Sequence, residues 1–490
     1  MIQDYLLLGA RQTYVAVISV LTSSILVSTF GIEGYGFYAY YLGLFSWIIF
    51  FGSAVGGTLQ KNVAKQFYRK EELEKTIQDN LSHYFSVVFF SIPVLLGILF
   101  LPASNFYFRN AELFNGSSYI FVIIFLLAAS IITLLNIPNR LISISFTNFK
   151  IGALASILES TLKLLFALLA LFIALTTSNK ILLFSVMIVL IAIVIFIFLT
   201  NWVNKEYKKL DAKPEINIRK NIFFRKDLLS FSSWNVIYIF STLFCLQGMT
   251  ILVGTFGQID LVASHAIAVQ LYGAIIAMVF ALVTASIPKL VGELSSITDV
   301  KKLNLCKQAY IYCFLFASAI WFIANLNQSW FTLYWFGELV LIDNFFNALC
   351  LLGMLTTTNR ISIYILQSHD KQKMSSIISF LFIFLGFTVC NLLVYFRLID
   401  IISAQYLIFF FCGIPTAINF IFVLNINKLS FFKKIRYIIL FVLAVMICCI
   451  LIITPKLISL SILHIFLINA VVLFLLVLFV LKLLNIKTKI

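Results

Sequence analysis

Long apolar stretches, separated by short polar connections, run along the whole chain. A helix needs about 20 mostly apolar residues to cross about 30 Å of hydrocarbon, and these stretches are too long and too continuously apolar for the strands of a membrane barrel. The pattern predicts an all-α integral membrane protein. We expect about fourteen transmembrane helices, near residues 5–29, 35–59, 81–101, 119–138, 152–175, 181–203, 229–254, 262–287, 305–325, 344–367, 375–396, 403–425, 437–454 and 461–482.

The composition supports this interpretation. Of the 490 residues, 62% are hydrophobic and 11% are charged, whereas soluble domains contain about 45–50% apolar and about 25% charged residues. A water-soluble fold is therefore excluded. The net charge of +16 does not indicate a nucleic-acid partner, because the Lys and Arg residues lie in short connections beside apolar stretches, where they set topology. The eight cysteines lack metal-ligand spacing, and we assign them no chemistry.

Basic residues are distributed unevenly between the two sets of connections. One set holds most of them, and the opposite set holds only Arg109, Lys180, Arg397 and Lys456. This asymmetry predicts that both termini and the basic connections face the cytoplasm, in a multi-pass protein of the cytoplasmic (inner) membrane. Nothing basic precedes Arg11, so we predict no cleavable signal peptide.

The most basic connection divides the chain into two parts. Transporters are often built from repeated halves with the substrate site between them. We therefore predict two six-helix lobes related by pseudo-symmetry, with a basic linker between them and a terminal hairpin with a cytoplasmic tail. The boundaries are 1–203 for the N-terminal lobe, 204–228 for the basic cytoplasmic linker, 229–427 for the C-terminal lobe and 428–490 for the additional transmembrane hairpin.

Four ionisable residues lie inside predicted spans: Arg11, Glu159, Lys163 and Arg360. A charge at the middle of a membrane helix costs about 2.5–3.5 kcal/mol, so each needs a partner or a hydrated cavity. We hypothesise that the three cations line one cavity between the lobes. Because guanidinium groups bind diphosphates through paired hydrogen bonds, the expected ligand is an anionic head group.

Two interpretations of these residues remain open. Glu159 and Lys163 are four residues apart and share one helix face. They form either a self-neutralising pair or a substrate-binding lysine beside a carboxylate that orients it or carries a coupling proton. Arg11 and Arg360 either line the cavity or extend to the cytoplasmic interface.

Three further cations lie at predicted cytoplasmic helix ends and are candidates for the rim of the cavity, although topology alone would also explain Lys61, Arg140 and Lys289. We interpret the polar residues Asn235, Gln247 and Gln270 as helix contacts in preference to sugar ligands. The sequence contains no phosphate-binding glycine loop, metal-ligand cluster or nucleophile elbow. We therefore predict no catalytic residue, no metal, no cofactor and no ATPase activity.

Four stretches occur in an order that is typical of one transporter family. They are Phe30-Gly-Ile-Glu-Gly-Tyr-Gly-Phe-Tyr, Gly52-Ser-Ala-Val-Gly-Gly-Thr-Leu-Gln-Lys-Asn, Ala285-Ser-Ile-Pro-Lys-Leu and Leu366-Gln-Ser-His-Asp-Lys-Gln-Lys. In these stretches and in its span lengths, the chain resembles polysaccharide repeat-unit flippases. These are the O-antigen and capsule exporters of the multidrug/oligosaccharidyl-lipid/polysaccharide (MOP) superfamily. The similarity extends from the N-terminus to about Asn427.

The resemblance implies a transporter and not an enzyme. Such flippases carry an undecaprenyl-diphosphate-linked oligosaccharide from the cytoplasmic to the outer leaflet by alternating access between two lobes. Coupling to a proton or sodium gradient or to the membrane potential is expected. The expected partners are this lipid-linked oligosaccharide, membrane lipids, and the polymerase and chain-length proteins of the same pathway.

Three alternatives are kept open. A lipid II flippase fits the number of spans, but the first two spans contain only Arg11, where several arginines would be expected. A multidrug/cation antiporter of the same superfamily would need unpaired acidic residues, and Glu159 is the one candidate. A membrane-embedded glycan polymerase or acyltransferase would need a long external loop or clustered His and Asp, whereas the connections near 102–118 and 326–343 are short.

Overall fold

The protein is a bundle of long helices. A computed structural model describes residues 2–67, 73–110, 117–145, 149–209, 226–296, 317–336, 341–368 and 372–426. In chain order the helices are α1 (Ile2–Phe67), α2 (Leu73–Arg109), α3 (Ser117–Ser145), α4 (Phe149–Phe172), α5 (Thr177–Lys209), α6 (Lys226–Leu243), a π-helical turn (Phe244–Gly248), α7 (Met249–Phe256), α8 (Ile259–Ser296), α9 (Ala317–Leu326), α10 (Gln328–Phe336), α11 (Leu341–Ser368), α12 (Gln372–Tyr395) and α13 (Ile401–Ile426).

The all-α membrane fold predicted from the sequence is confirmed. Within the described residues, nine helices are long and apolar enough to cross a bilayer. Every predicted span up to 403–425 coincides with a described helix, although the span at 305–325 is matched only from Ala317 onward. The predicted spans at 437–454 and 461–482, and most of the linker at 204–228, lie outside the described residues. The division into two lobes stays a prediction.

The first two predicted spans are parts of one folded-back helix, and the loop expected between them is reduced to a kink. Helix α1 is non-helical at Gly31, with φ 72° and ψ 171°, a backbone conformation that glycine adopts far more readily than other residues. The two ends of α1 lie at the same end of the bundle. Arg11 interacts electrostatically with Arg140 on α3, and Ser145 of α3 donates a hydrogen bond to the Gln60 carbonyl at 3.2 Å.

Contacts between the connections define two ends of the bundle. We call the end that contains residues 59–67, 73–81, 139–145, 149–152 and 199–209 the basic end, where Leu59, Ile77, Ile142 and Val203 pack together. We call the other end, which contains residues 30–41, 102–109 and 254–263, the far end, where Tyr41 donates to the Ala103 carbonyl at 2.8 Å. The three basic connections next to these residues, after α1, α3 and α5, therefore begin at the same end of the bundle, as expected for helices that cross the bilayer in alternating directions. Which end faces the cytoplasm stays a prediction.

A tyrosine from α2 provides the hydrogen bond that a proline removes from α3. Pro138 has no N–H, so the Leu134 carbonyl four residues earlier loses its helical hydrogen bond. The Tyr84 hydroxyl of α2 donates to that carbonyl at 2.8 Å. Gly52 of α1 allows this approach, because a Cβ atom there would lie 2.8 Å from the tyrosine oxygen. This contact between three helices fixes the part of α3 that carries Arg140, a residue of the site described below.

We predict that Tyr84→Phe lowers the free energy of unfolding by about 1–3 kcal/mol, because it leaves a buried carbonyl without a hydrogen bond. The ring and its packing are retained. Thermal unfolding of the purified protein would measure the effect. Tyr395→Phe is the control, since Tyr395 is 67% exposed. Equal melting temperatures for both variants would contradict this account of the break.

Candidate functional site

A carboxylate on α4 holds two cations near the basic end. Glu159 Oε2 accepts from Arg140 Nη2 of α3 at 2.5 Å, and Glu159 Oε1 accepts from Lys163 Nζ at 2.8 Å. Glu159 and Lys163 lie one helical turn apart, which places them on the same face. Arg140 reaches this face because α3 and α4 both pack against α1 and α5, which brings the two helices close to each other. Each carboxylate oxygen therefore has a cationic donor.

A third cation approaches the same group from α1. Arg11 is partly buried, is close enough to Arg140 for the two guanidinium groups to repel each other, and has an Nε that bonds to none of the described residues. The Tyr14 hydroxyl lies 2.9 Å from Thr161 Oγ1 on α4. Thr161 donates its own proton to the Ile157 carbonyl at 2.8 Å, so Tyr14 is the donor. This bond fastens α1 to α4 beside the charges.

The site is a basic cluster, which we define as Arg11, Arg140, Glu159 and Lys163. It contains three cations and one carboxylate, so an excess of positive charge remains after the ion pairs have formed. The side chains are 33% exposed for Arg140, 24% for Glu159 and 38% for Lys163. A small anion could therefore reach the cations without unfolding the cluster. Bidentate guanidinium groups suit phosphate oxygens in particular.

The sequence missed the central contact of this cluster. It paired Glu159 with Lys163 but assigned Arg140 to the cavity rim, and the structure places Arg140 in the cluster. Arg140 and Glu159 are 19 residues apart on two helices, so no helical spacing connects them. Only the tertiary packing, in which α3 and α4 both lie against α1 and α5, brings them together.

The remaining predicted site residues lie on other helices. Arg360 is partly buried on α11, next to Asn359, whose side-chain oxygen accepts from Asn419 of α13 at 3.0 Å. Whether Arg360 shares a cavity with Arg11 and Lys163 stays a prediction. Lys61 lies on α1 and Lys289 on α8, but their side chains are outside the described part of the structure.

A second group of polar contacts joins the two halves of the chain toward the far end. Gln270 of α8 accepts from the hydroxyl groups of Ser23 and Tyr35, with 3.2 Å to Tyr35, and donates to the Ser19 carbonyl at 2.8 Å. These partners all belong to α1. We call this group the Gln270 latch. It agrees with the interpretation of Gln270 as a helix contact.

Close backbone packing accompanies the latch. A Cβ atom at Gly36 of α1 would lie 2.8 Å from the Ile259 carbonyl oxygen at the start of α8. The same seam continues along α6, where Asn235 Nδ2 donates to the Ala54 carbonyl at 2.7 Å. The two parts of the chain are thus closely packed at the far end and also, through Asn235, closer to the basic end, whereas the side chains of the basic cluster are partly exposed.

Known proteins provide a comparison for the fold but not for the sequence. No protein-family model matches the chain, and no curated protein matches it in sequence. A solved multidrug resistance MATE family transporter of the MOP superfamily, in the inward-facing conformation, has a TM-score of 0.64 at 15% identity, over 84% of this chain and 94% of its own. A multidrug resistance MATE family transporter of the MOP superfamily in the outward-facing conformation has a TM-score of 0.60 at 16% identity, over 87% of this chain and 95% of its own.

A third solved structure belongs to a MOP superfamily transporter from Pyrococcus furiosus. It has a TM-score of 0.61 at 17% identity and covers 87% of this chain and 95% of its own. This chain has the fold of these MOP superfamily structures, which we call the MOP fold. Two of the structures are described as multidrug resistance transporters, whereas the reversed polarity of the binding pocket in the Pyrococcus furiosus protein suggests a different function for that protein. Because one fold supports several functions, the likeness shows the fold alone.

We predict that Glu159→Gln lowers the free energy of unfolding by about 1.5–3 kcal/mol, because a neutral amide leaves Arg140 and Lys163 without their counter-charge. Thermal unfolding in a buffer of low ionic strength and without phosphate would measure this. The control is Glu206→Gln, which breaks the Glu206–Lys209 pair of 2.7 Å, whose lysine is 58% exposed. Such surface pairs contribute about 0–1 kcal/mol, so an equally large effect there would contradict a special role for the cluster.

We predict that Gln270→Ala opens the far end more often, because it removes the bonds of the latch. Ala263, which is buried and faces Gly36, is changed to cysteine as a reporter in both backgrounds. A water-soluble maleimide should label it about tenfold faster in the Gln270→Ala protein, which corresponds to about 1.4 kcal/mol of lost contact energy.

The control for the latch is Gln258→Ala, an exposed glutamine at the same end of the bundle. Its labelling rate should equal that of the parent. If Gln270→Ala and Gln258→Ala label at the same rate, the latch does not keep the far end closed. Labelling of the parent protein without the introduced cysteine provides the background.

Proposed function

We propose that this chain is a flippase that moves undecaprenyl-diphosphate-linked oligosaccharide repeat units from the cytoplasmic to the outer leaflet by alternating access. The product would be an O-antigen, a capsule or a related surface polysaccharide. The observation that carries the proposal is the excess of positive charge in the basic cluster, which has three cations around Glu159. The MOP fold agrees with a transporter.

The chemistry of the cluster suits a diphosphate. Glu159 lies ten residues after the start of α4, or about 15 Å along the helix, at a depth where a lipid head group would enter from the basic end. Charged side chains at such depth face a hydrated space and not lipid, because hydrocarbon solvates them poorly. In the resting state Glu159 holds Arg140 and Lys163 in place. An arriving diphosphate would add counter-charge for Arg11, which forms no ion pair with a carboxylate among the described residues.

The direction of transport follows from the predicted orientation. With the basic end and both termini in the cytoplasm of the inner membrane, the substrate carries negative charge outward, and an inside-negative potential favours this by about 2.3 kcal/mol per charge per 100 mV. We propose coupling to this potential or to a proton or sodium gradient. Polymerase and chain-length proteins of the same pathway are the proposed partners.

The second candidate is a multidrug/cation antiporter. The similar solved structures include proteins described as multidrug resistance transporters, so the MOP fold supports this reading equally. The charge of the site distinguishes the two. Both oxygens of Glu159 are bonded to cations, so this carboxylate does not offer free negative charge to a cationic drug. A lipid II flippase would use the same phosphate chemistry as the first candidate.

The first experiment compares a strain lacking the gene with one that carries it. We expect the undecaprenyl-diphosphate-linked oligosaccharide to accumulate on the cytoplasmic leaflet and external glycan to disappear in the deletion. Loss of glycan while single repeat units still reach the outer leaflet would favour a polymerase. Unchanged glycan with increased drug sensitivity would favour the antiporter. Arrest of peptidoglycan synthesis would favour lipid II as the substrate.

We predict that Arg140→Gln lowers glycan export about tenfold or more at normal protein abundance, because a charge-assisted phosphate contact contributes more than about 1.4 kcal/mol. The matched control is Lys209→Gln, which also removes one basic-end cation but lies in an exposed pair. Export should be normal in the control. Equal export in both variants would remove Arg140 from the substrate site.

A charge exchange separates binding from folding. Arg140→Glu combined with Glu159→Arg keeps an ion pair between α3 and α4 but moves the cation to the other helix. If the cluster binds substrate at a defined place, this variant folds normally and remains defective in export. Full recovery of export would show that the pair acts only in folding.

A further inference from the structure

A groove at the far end is built from both halves of the chain. It has a volume of about 740 Å³ and is lined by the ends of α2, α7, α12 and α13, with residues of α8. The connections opposite the basic ones contain Arg109, Lys180, Arg397 and Lys456. Two of these residues, Arg109 and Arg397, line the groove. The basic cluster lies near the opposite end, so the groove is a separate feature.

Arg109 is held over the groove by a helix terminus. Its Nη1 donates to the Thr255 carbonyl at 2.5 Å and its Nη2 to the Phe256 carbonyl at 3.3 Å. These are the last carbonyls of α7, where the helix carries partial negative charge. A guanidinium has five N–H donors, so these two bonds position the group and leave other donors for a ligand. The side chain is exposed.

Arg397 occupies a backbone conformation that its residue type disfavours. Its φ is 58°, in the left-handed region where a side chain other than glycine, Asn or Asp costs about 1–2 kcal/mol. The conformation ends α12, with the Leu398 N–H returning to the Leu393 carbonyl at 2.9 Å. Glycine would fit this position more easily. Residues held in such conformations cluster at ligand sites, and here the retained side chain is a guanidinium in the groove.

The groove is amphiphilic. Among the described lining residues, Arg109 and Arg397 carry positive charge and Asp400 carries the one negative charge; its carboxylate accepts from the Ser403 N–H at 3.3 Å at the start of α13. The remaining wall is largely apolar, with Leu261, Val394 and Ile401 among its members. Tyr395 lines it and is 67% exposed, as aromatic side chains at membrane interfaces commonly are.

We propose that this groove binds the phosphate-bearing head group of an anionic lipid from the adjacent leaflet. The arginines bind the phosphate, and the apolar wall contacts the first part of the lipid chain. A soluble phosphate shares the head-group chemistry but has no chain to place on the apolar wall. The proposal does not depend on which substrate the basic cluster binds.

The position of Arg109 means that a bound lipid would hold helices from the two parts of the chain together. Arg109 belongs to α2, whereas its carbonyl partners belong to α7 and Arg397 lies just after the end of α12. A lipid phosphate bound by both arginines therefore bridges the two halves at the far end, where the Gln270 latch also joins them. Lipid binding consequently stabilises the packing of the halves at this end.

Purified full-length protein in a neutral detergent tests the proposal. The probes are phosphatidylglycerol, uncharged diacylglycerol and inorganic phosphate, and the readouts are melting temperature and lipid adducts in native mass spectrometry. We expect phosphatidylglycerol alone to raise the melting temperature and form an adduct. Arg397→Asn should weaken its binding about tenfold. Asn tolerates the left-handed region, so the lipid-free melting temperature should not fall.

The matched control is Lys180→Asn, which removes one far-end cation outside the groove lining and should bind the lipid normally. Arg109→Gln should also lose the lipid, but it breaks the α7 contact as well, so Arg397→Asn carries the test. Unchanged binding in Arg397→Asn, or an equal loss in Lys180→Asn, would overturn the proposal. An equal stabilisation by inorganic phosphate would show that the groove binds a soluble anion.

Discussion

Hydrocarbon offers no hydrogen-bond partners, and this constraint governs the interior of the protein. The carbonyl that Pro138 leaves unbonded is satisfied by Tyr84 from another helix. Glu159 has a cationic donor on each oxygen, and Gln270 uses both ends of its amide. Each of these contacts satisfies a polar group that would otherwise be costly, and each also fixes one helix against another.

These contacts differ in which helices they join. The basic cluster joins α1, α3 and α4 within the first part of the chain. The Gln270 latch and the Arg109 contacts join the first part to the second at the far end. Among the described residues, polar bonds between the first and second parts of the chain also lie outside the far end, since Asn235 donates to the Ala54 carbonyl closer to the basic end.

The MOP fold does not decide the function of this chain, because one fold supports several functions and similar structures at 15% and 16% identity are described as multidrug transporters. The sign of the charge in the site is more informative. A site for cationic drugs needs accessible carboxylates, whereas Glu159 is already neutralised by Arg140 and Lys163, and Arg11 adds a further positive charge. This electrostatic balance is the ground on which we propose an anionic head group as the ligand.

The sequence by itself determined the class of the protein, the positions of its helices and the residues whose charge is unexpected in a membrane. Length and apolar content decide whether a segment crosses a bilayer, so these features are local. Only the tertiary structure joined Arg140 to Glu159, Tyr84 to Leu134 and Arg109 to the end of α7. Each pair lies on different helices, and one residue more or less turns a helical side chain by about 100°. Packing between helices, which apolar sequence constrains weakly, therefore decided the site.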